Sequence, residues 1–103
     1  MKINGKDIKF EFTIGAKCDY IQFCSDNPEA LQFSANLYKA LYMNRAYAEN
    51  HEGAETVTVE ELRRLKAYAY EELMAEVKAA EEADSRRTVE TQEKKENTKQ
   101  KSS

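Results

Sequence analysis

The sequence predicts a mostly helical α+β domain, in which an N-terminal β-hairpin packs on a bundle of three or four helices. The hairpin is indicated by an Asn4-Gly5 turn followed by alternating apolar residues. The helices are indicated by three later segments with apolar residues at helical spacing. The last twenty residues carry ten charges and one large apolar residue, Val89, too little to offset the entropy of ordering. We therefore expect one domain, residues 1–83, and a disordered charged tail, residues 84–103.

The hairpin begins with a type I′ turn, since Asn4-Gly5 supplies the two positive φ angles that this turn requires. The turn register places Met1 opposite Ile8, so the first strand is only about three residues long. The apolar face continues after the turn through Ile8, Phe10, Phe12 and Ile14. Residues 9–13 should then keep an unpaired strand edge, open to a third strand, a second copy of the chain or a partner protein.

Two helices are predicted after the hairpin. The stretch "IGAKCDYIQFCSD" suits a first helix from about residue 14 to 25. Its apolar side would hold Ile14, Cys18 and Ile21, with Phe23 and Cys24 as further candidates. Asn27 is a good N-cap and Pro28 suits a first helical position, so the second helix should cover residues 28–50.

The second helix has an unusually wide apolar surface. Its polar positions Gln32, Asn36 and Lys39 share one sector, and apolar residues spread over roughly 200° of the rest. Either this is a central helix covered by its neighbours on two sides, or one flank meets another protein. That flank would bear Tyr38, Tyr42 and Tyr47.

The third helix has a complete start signal. Thr58 as N-cap and Glu61 at the third position form a capping box, and Val57 with Leu62 forms a hydrophobic staple. Apolar residues then follow helical spacing to about residue 83, which predicts a helix over 59–83. A break within residues 66–70 is an open alternative, but no Gly or Pro there would force one.

Composition and motifs argue against chemistry in this chain. Net charge −3 and pI near 5.3 do not suit a nucleic-acid binder. No apolar run approaches the roughly 18 residues of a membrane span, and no signal-peptide core is present, so we expect a cytoplasmic protein. Cys18 and Cys24 are too far apart on a helix for a disulfide or a shared metal and should be buried or half-buried free thiols.

Catalytic and cofactor sites are not expected either. The one histidine, His51, lies in a polar loop where solvation is the usual state, and the three glycines form no phosphate-binding loop. Acidic pairs such as Glu60-Glu61 and Glu81-Glu82 fall on helices, where adjacent residues do not face each other, so they suggest a solvated surface. The sequence predicts no enzyme, no cofactor and no metal.

The order of these segments resembles a known family. In chain order the segments are "INGK" with "KFEFTIGA", "CDYIQFC" with "NPE", a Tyr-rich helix, "TVEELRRL" with "YEEL", and a charged tail. This order is similar to that of small tail assembly chaperones of Gram-positive tailed phages and prophages. The likeness covers roughly residues 2–82. It implies a protein that binds the tape measure protein and keeps it soluble while tail tube subunits polymerise around it.

The resemblance carries no family site residue to this chain, so the candidate interaction residues are aromatic side chains of the hairpin face, which should pack on the second helix, and of one flank of that helix. These are Phe10, Phe12, Tyr38, Tyr42 and Tyr47. The partner would be the tape measure protein, the major tail protein or both, with self-association as a further alternative. A non-enzymatic adaptor or regulator, or a structural tail component, would have the same composition.

Overall fold

The structure, a computed structural model, describes the backbone of residues 1–102 and the side chains of residues 1–85. Its elements are β1 (Lys2–Ile3), β2 (Lys6–Asp7), α1 (Ile14–Asp26), α2 (Gln32–Asn50), α3 (Val59–Arg63) and α4 (Ala69–Ser102). Helix α2 is central and packs against α1, α3 and α4. The predicted class, mostly α with an N-terminal hairpin on a helical bundle, is confirmed.

The hairpin has the predicted turn and register. Asn4 and Gly5 have φ angles of 52° and 76°, and antiparallel β1 and β2 place Ile3 opposite Lys6. Beyond the strands, the backbone of Ile8 donates to the Met1 carbonyl at 2.9 Å, and the Met1 amino group donates to the Ile8 carbonyl at 2.8 Å. Ile3 and Ile8 are both fully buried, so the hairpin supplies two residues of the core.

The strand expected to continue beyond Ile8 does not form, because residues 8–13 are neither strand nor helix. Helix α2 takes up part of their hydrogen-bonding capacity instead. The Glu11 N–H donates to the Met43 carbonyl at 3.1 Å, and the Lys9 carbonyl accepts from the side chain of Asn44 at 3.0 Å. The predicted open edge is therefore partly used inside the molecule.

Helix α1 matches its predicted range, but α2 begins four residues later than predicted, at Gln32 rather than Pro28. The residue expected to start α2, Asn27, closes α1 instead. Its backbone N–H and its side-chain Nδ2 both donate to the Phe23 carbonyl, at 3.0 and 2.9 Å. Because Asn27 is occupied at the end of α1, it cannot also cap α2, and Pro28 falls in the turn between them. The predicted end of α2 at Asn50 is confirmed.

The predicted apolar side of α1 is wrong for three of its five residues, whereas Phe23 and Cys24 are half-buried as expected. Ile14 is 85% exposed, Ile21 is 56% exposed, and Cys18 is exposed as well, although a buried or half-buried thiol was expected. The buried residue of α1 is Ala16, and on the same side the ring of Phe23 stacks on Tyr38 of α2 at 4.1 Å between centroids. The side of α1 that contacts α2 is therefore the side of Ala16 and Phe23, and the isoleucines lie on the outer side.

The single helix predicted over residues 59–83 is divided. The capping box is present, since the Thr58 hydroxyl accepts from the Glu61 N–H at 3.2 Å and the Glu61 carboxylate accepts from the Thr58 N–H at 3.0 Å. Helix α3 ends at Arg63 and α4 starts at Ala69, so the alternative of a break is correct, with the break at residues 64–68 rather than 66–70. Hydrogen bonds between residues three apart in the sequence bridge the break, including one from the Ala69 N–H to the Lys66 carbonyl at 2.9 Å. Without Gly or Pro in the segment, tertiary packing rather than local preference sets this break.

The predicted tail, residues 84–103, falls almost wholly outside the residues whose side chains the structure describes. In the backbone, residues 84–102 continue helix α4, whereas the sequence predicted disorder there. The domain boundary at residue 83 stays a prediction. Near the start of this segment, α4 is held to the rest of the fold: Ala80 packs against the core, and Glu81 pairs with Lys39 of α2 at 2.8 Å.

Candidate functional site

An apolar groove opens beside the break between α3 and α4, next to the start of α2. Its volume is about 290 Å³. Its floor is formed by three largely buried leucines, one from each of α2, α3 and α4: Leu37, Leu62 and Leu73. The break creates the groove, because the backbone leaves the helical path between α3 and α4 and the connecting residues Leu65, Lys66 and Ala67 border it.

One wall of the groove consists of two stacked aromatic rings. The centroids of Phe33 and Tyr70 lie 4.1 Å apart with an angle of 18° between the ring planes. The Tyr70 hydroxyl accepts from Nδ2 of Asn36 at 2.9 Å, and Oδ1 of Asn36 accepts from Nε2 of Gln32 at 2.8 Å. The polar residues of α2 therefore hold the Tyr70 side chain, which restricts the wall before any ligand arrives.

Large apolar side chains are exposed at and near this wall. Phe33 is 55% exposed although it lines the groove. Leu31 is 76% exposed and Tyr68 is 82% exposed, and each lies within two residues of a groove-lining position. Clustered exposed apolar surface with a polar border is typical of binding sites for proteins and other ligands.

Two basic residues also border the groove. Arg63 and Lys66 both line it and are exposed. Within residues 1–85, neither side chain forms an ion pair. The groove thus combines an apolar floor with positive charge, in a chain whose net charge is −3.

A second cluster ties the hairpin to α3 through Glu61. The Lys6 ammonium lies 2.7 Å from Oε1 of Glu61, and Nδ2 of Asn4 donates to Oε2 at 2.8 Å. The hydrogen bond from Lys6, followed by those from Asn4 and the Thr58 backbone, lowers the pKa of Glu61 from 4.5 to about 2. Glu61 was predicted to be part of a solvated acidic pair, and this is wrong, because its carboxylate fastens the hairpin turn to the start of α3.

The five aromatic residues predicted to contact a partner are all half-buried: Phe10, Phe12, Tyr38, Tyr42 and Tyr47. Phe10, Phe12, Tyr38 and Tyr42 pack against the core, and burial raises the pKa of the Tyr42 hydroxyl. Tyr47 stacks on His51 with centroids 3.8 Å apart. None of the five lines the groove, and their contact with a partner stays a prediction.

Two other kinds of feature are absent from the residues that the structure describes. In that part of the chain, no group of three or more His, Cys, Asp and Glu residues is placed to hold a metal ion. None of the described helices has the length and apolarity needed to cross a membrane. No protein-family model, curated protein or solved structure matches the chain.

The groove residues were not recognised as a site from the sequence. Phe33 belongs to the broad apolar surface predicted for α2, and no role was predicted for Arg63 or Lys66. The signal that could have directed attention there is "LQF", two large apolar residues at the very start of α2. The groove itself depends on the break, for which the sequence carries no marker.

Proposed function

We propose that this protein binds another protein without performing chemistry, and that it acts as a tail assembly chaperone for a phage tape measure protein. The observation that carries the binding role is the apolar groove, with the 55% exposed ring of Phe33 in its wall. The phage assignment rests on the order of segments in the sequence. In this role the protein would work in the cytoplasm of a bacterial host.

The groove suits a partner that is long, helical and prone to aggregate. A helix of such a partner exposes an apolar stripe, and apolar grooves bind amphipathic helices through residues spaced three or four apart. A chaperone must also release its partner when tube subunits polymerise. A small, partly solvated groove favours such reversible binding over the large apolar interfaces of permanent complexes.

The role can be tested by co-expression with the tape measure protein encoded beside this gene. A chaperone gene should lie between the genes for the major tail protein and a very long tape measure protein. With that protein as partner, the wild type should raise its soluble fraction and co-purify with it. Phe33→Ala should reduce both effects, whereas Ile21→Ala should not. The two side chains are matched in exposure, at 55% and 56%, and Ile21 lies on α1 outside the groove.

Two results would contradict the proposal. If the neighbouring genes encode no tail components, or if co-expression leaves the tape measure protein insoluble, the chaperone role is wrong. If Ile21→Ala rather than Phe33→Ala weakens co-purification, the contact surface is the exposed side of α1, and the groove is not the site.

A further inference from the structure

We propose that the groove recognises an amphipathic helix whose apolar residues are flanked by acidic side chains. This names the partner chemistry of the site described above. It rests on the proposed protein-binding role and is independent of the phage assignment.

The apolar part of the ligand follows from the size and floor of the groove. A volume of about 290 Å³ lies just below the range for pockets that enclose drug-sized molecules, roughly 300–1,000 Å³. The floor is leucine side chains, and the wall offers the face of Phe33 stacked on Tyr70. Such a site suits large apolar side chains projecting from a peptide, which enter while the peptide backbone stays outside.

The acidic part follows from the border. Arg63 and Lys66 are exposed on the groove and form no ion pair within residues 1–85. A bound helix with carboxylates beside its apolar stripe would place them near these two cations. Glu71 and Glu72 directly follow the wall residue Tyr70 in the sequence. Both are exposed, and neither of them lines the groove.

The wall is also organised before binding. Asn36 holds the Tyr70 hydroxyl at 2.9 Å, and Tyr70 in turn carries the Phe33 ring. An apolar side chain would therefore meet a surface whose rotamers are already restricted, which lowers the entropy cost of binding. Both the shape and the charge of the site are thus present in the free protein.

The test uses two designed peptides of about 18 residues, roughly five helical turns, with leucines at positions i, i+4 and i+7. In one peptide glutamate flanks the leucines, and in the other lysine replaces every glutamate. Fluorescence anisotropy with the full-length protein should show that the acidic peptide binds about tenfold more tightly, since two exposed ion pairs each contribute modestly. This preference should shrink as salt is added.

Matched variants locate the binding site. Arg63→Gln with Lys66→Gln should remove most of the preference for the acidic peptide, while Lys17→Gln with Lys78→Gln, which changes the net charge equally at exposed positions off the groove, should retain it. Phe33→Ala should weaken binding of the acidic peptide severalfold, and Ile21→Ala should leave the affinity for this peptide unchanged. Circular dichroism of each variant confirms that the fold is intact.

Equal binding of the two peptides, binding of neither, or equal effects of the two charge-neutralising pairs would overturn the proposal. These outcomes are separable from failure of the proposed function. A peptide preference that depends on the groove, in a protein that does not solubilise a tape measure protein, would support the inference and reject only the chaperone role. Solubilisation of the tape measure protein without the peptide preference would support the chaperone role and reject this inference.

Discussion

The substitution Asn44→Ala should be one of the most damaging single changes in this protein. Asn44 is fully buried in α2 and joins two segments that have no regular structure. Its Oδ1 accepts from the Val57 N–H at 2.9 Å, and its Nδ2 donates to the Lys9 carbonyl at 3.0 Å. A longer contact of 3.4 Å reaches the Glu55 carbonyl. One side chain therefore holds both the segment after the hairpin and the approach to α3.

The expected loss of stability can be worked from these bonds. Removing the acceptor leaves the buried Val57 N–H without a partner, which costs about 2 kcal/mol, and the partly buried Lys9 carbonyl adds about 1 kcal/mol. We assign no energy to the 3.4 Å contact because it is long. The sum of about 3 kcal/mol corresponds to a fall of about 12–24 °C in Tm for a domain of this size.

The assay is thermal unfolding followed by circular dichroism, with urea unfolding to measure the free energy. The control is Asn36→Ala, the same substitution on the same helix, where the half-buried side chain contacts the Tyr70 hydroxyl. That change should cost about 1 kcal/mol. Amide exchange at Val57 should also accelerate in the Asn44 variant. A Tm loss of Asn44→Ala no larger than that of Asn36→Ala would refute the view that these buried bonds hold the two segments.

Four further outcomes are expected. Thr58→Ala removes the hydroxyl that accepts from the first turn of α3 and should cost about 1 kcal/mol, or about 4–8 °C in Tm; an unchanged Tm would mean that the cap contributes nothing. Because the folded state lowers the pKa of Glu61 to about 2, the stabilisation from this group should be complete above pH 4.5 and lost as pH falls towards 2, and Glu61→Gln should flatten this part of the stability curve. Glu11→Pro deletes the N–H that donates to the Met43 carbonyl, so it should lower the Tm of the monomer. If residues 9–13 were a free strand edge, the same substitution would leave the Tm unchanged. Truncation after Ala83 should leave the Tm within a few degrees of the full chain; a larger loss would show that the tail packs on the body.

Features that depend on a few neighbouring residues could be predicted from the sequence. The Asn4-Gly5 turn, the Thr58–Glu61 capping box and the end of α2 at Asn50 were all predicted correctly. In each case, the signal and the structure it specifies lie within about one turn of the chain. The energy that decides them is therefore local and can be identified from adjacent letters.

Features that depend on distant partners were decided only by the tertiary structure. The apolar pattern of α1 favoured burying Ile14 and Ile21, but close contact with α2 buries Ala16 and turns the isoleucines outward. Glu61 has a suitable sequence for a capping role, yet nothing nearby indicates that Lys6, 55 residues earlier, also binds it. The groove has the same origin, because the break after Arg63 occurs in a segment whose local preference is helical. Which face of a helix is buried, and where a helix breaks, is determined by the packing of all elements together. These contacts join residues far apart in the sequence, so they cannot be identified from adjacent letters.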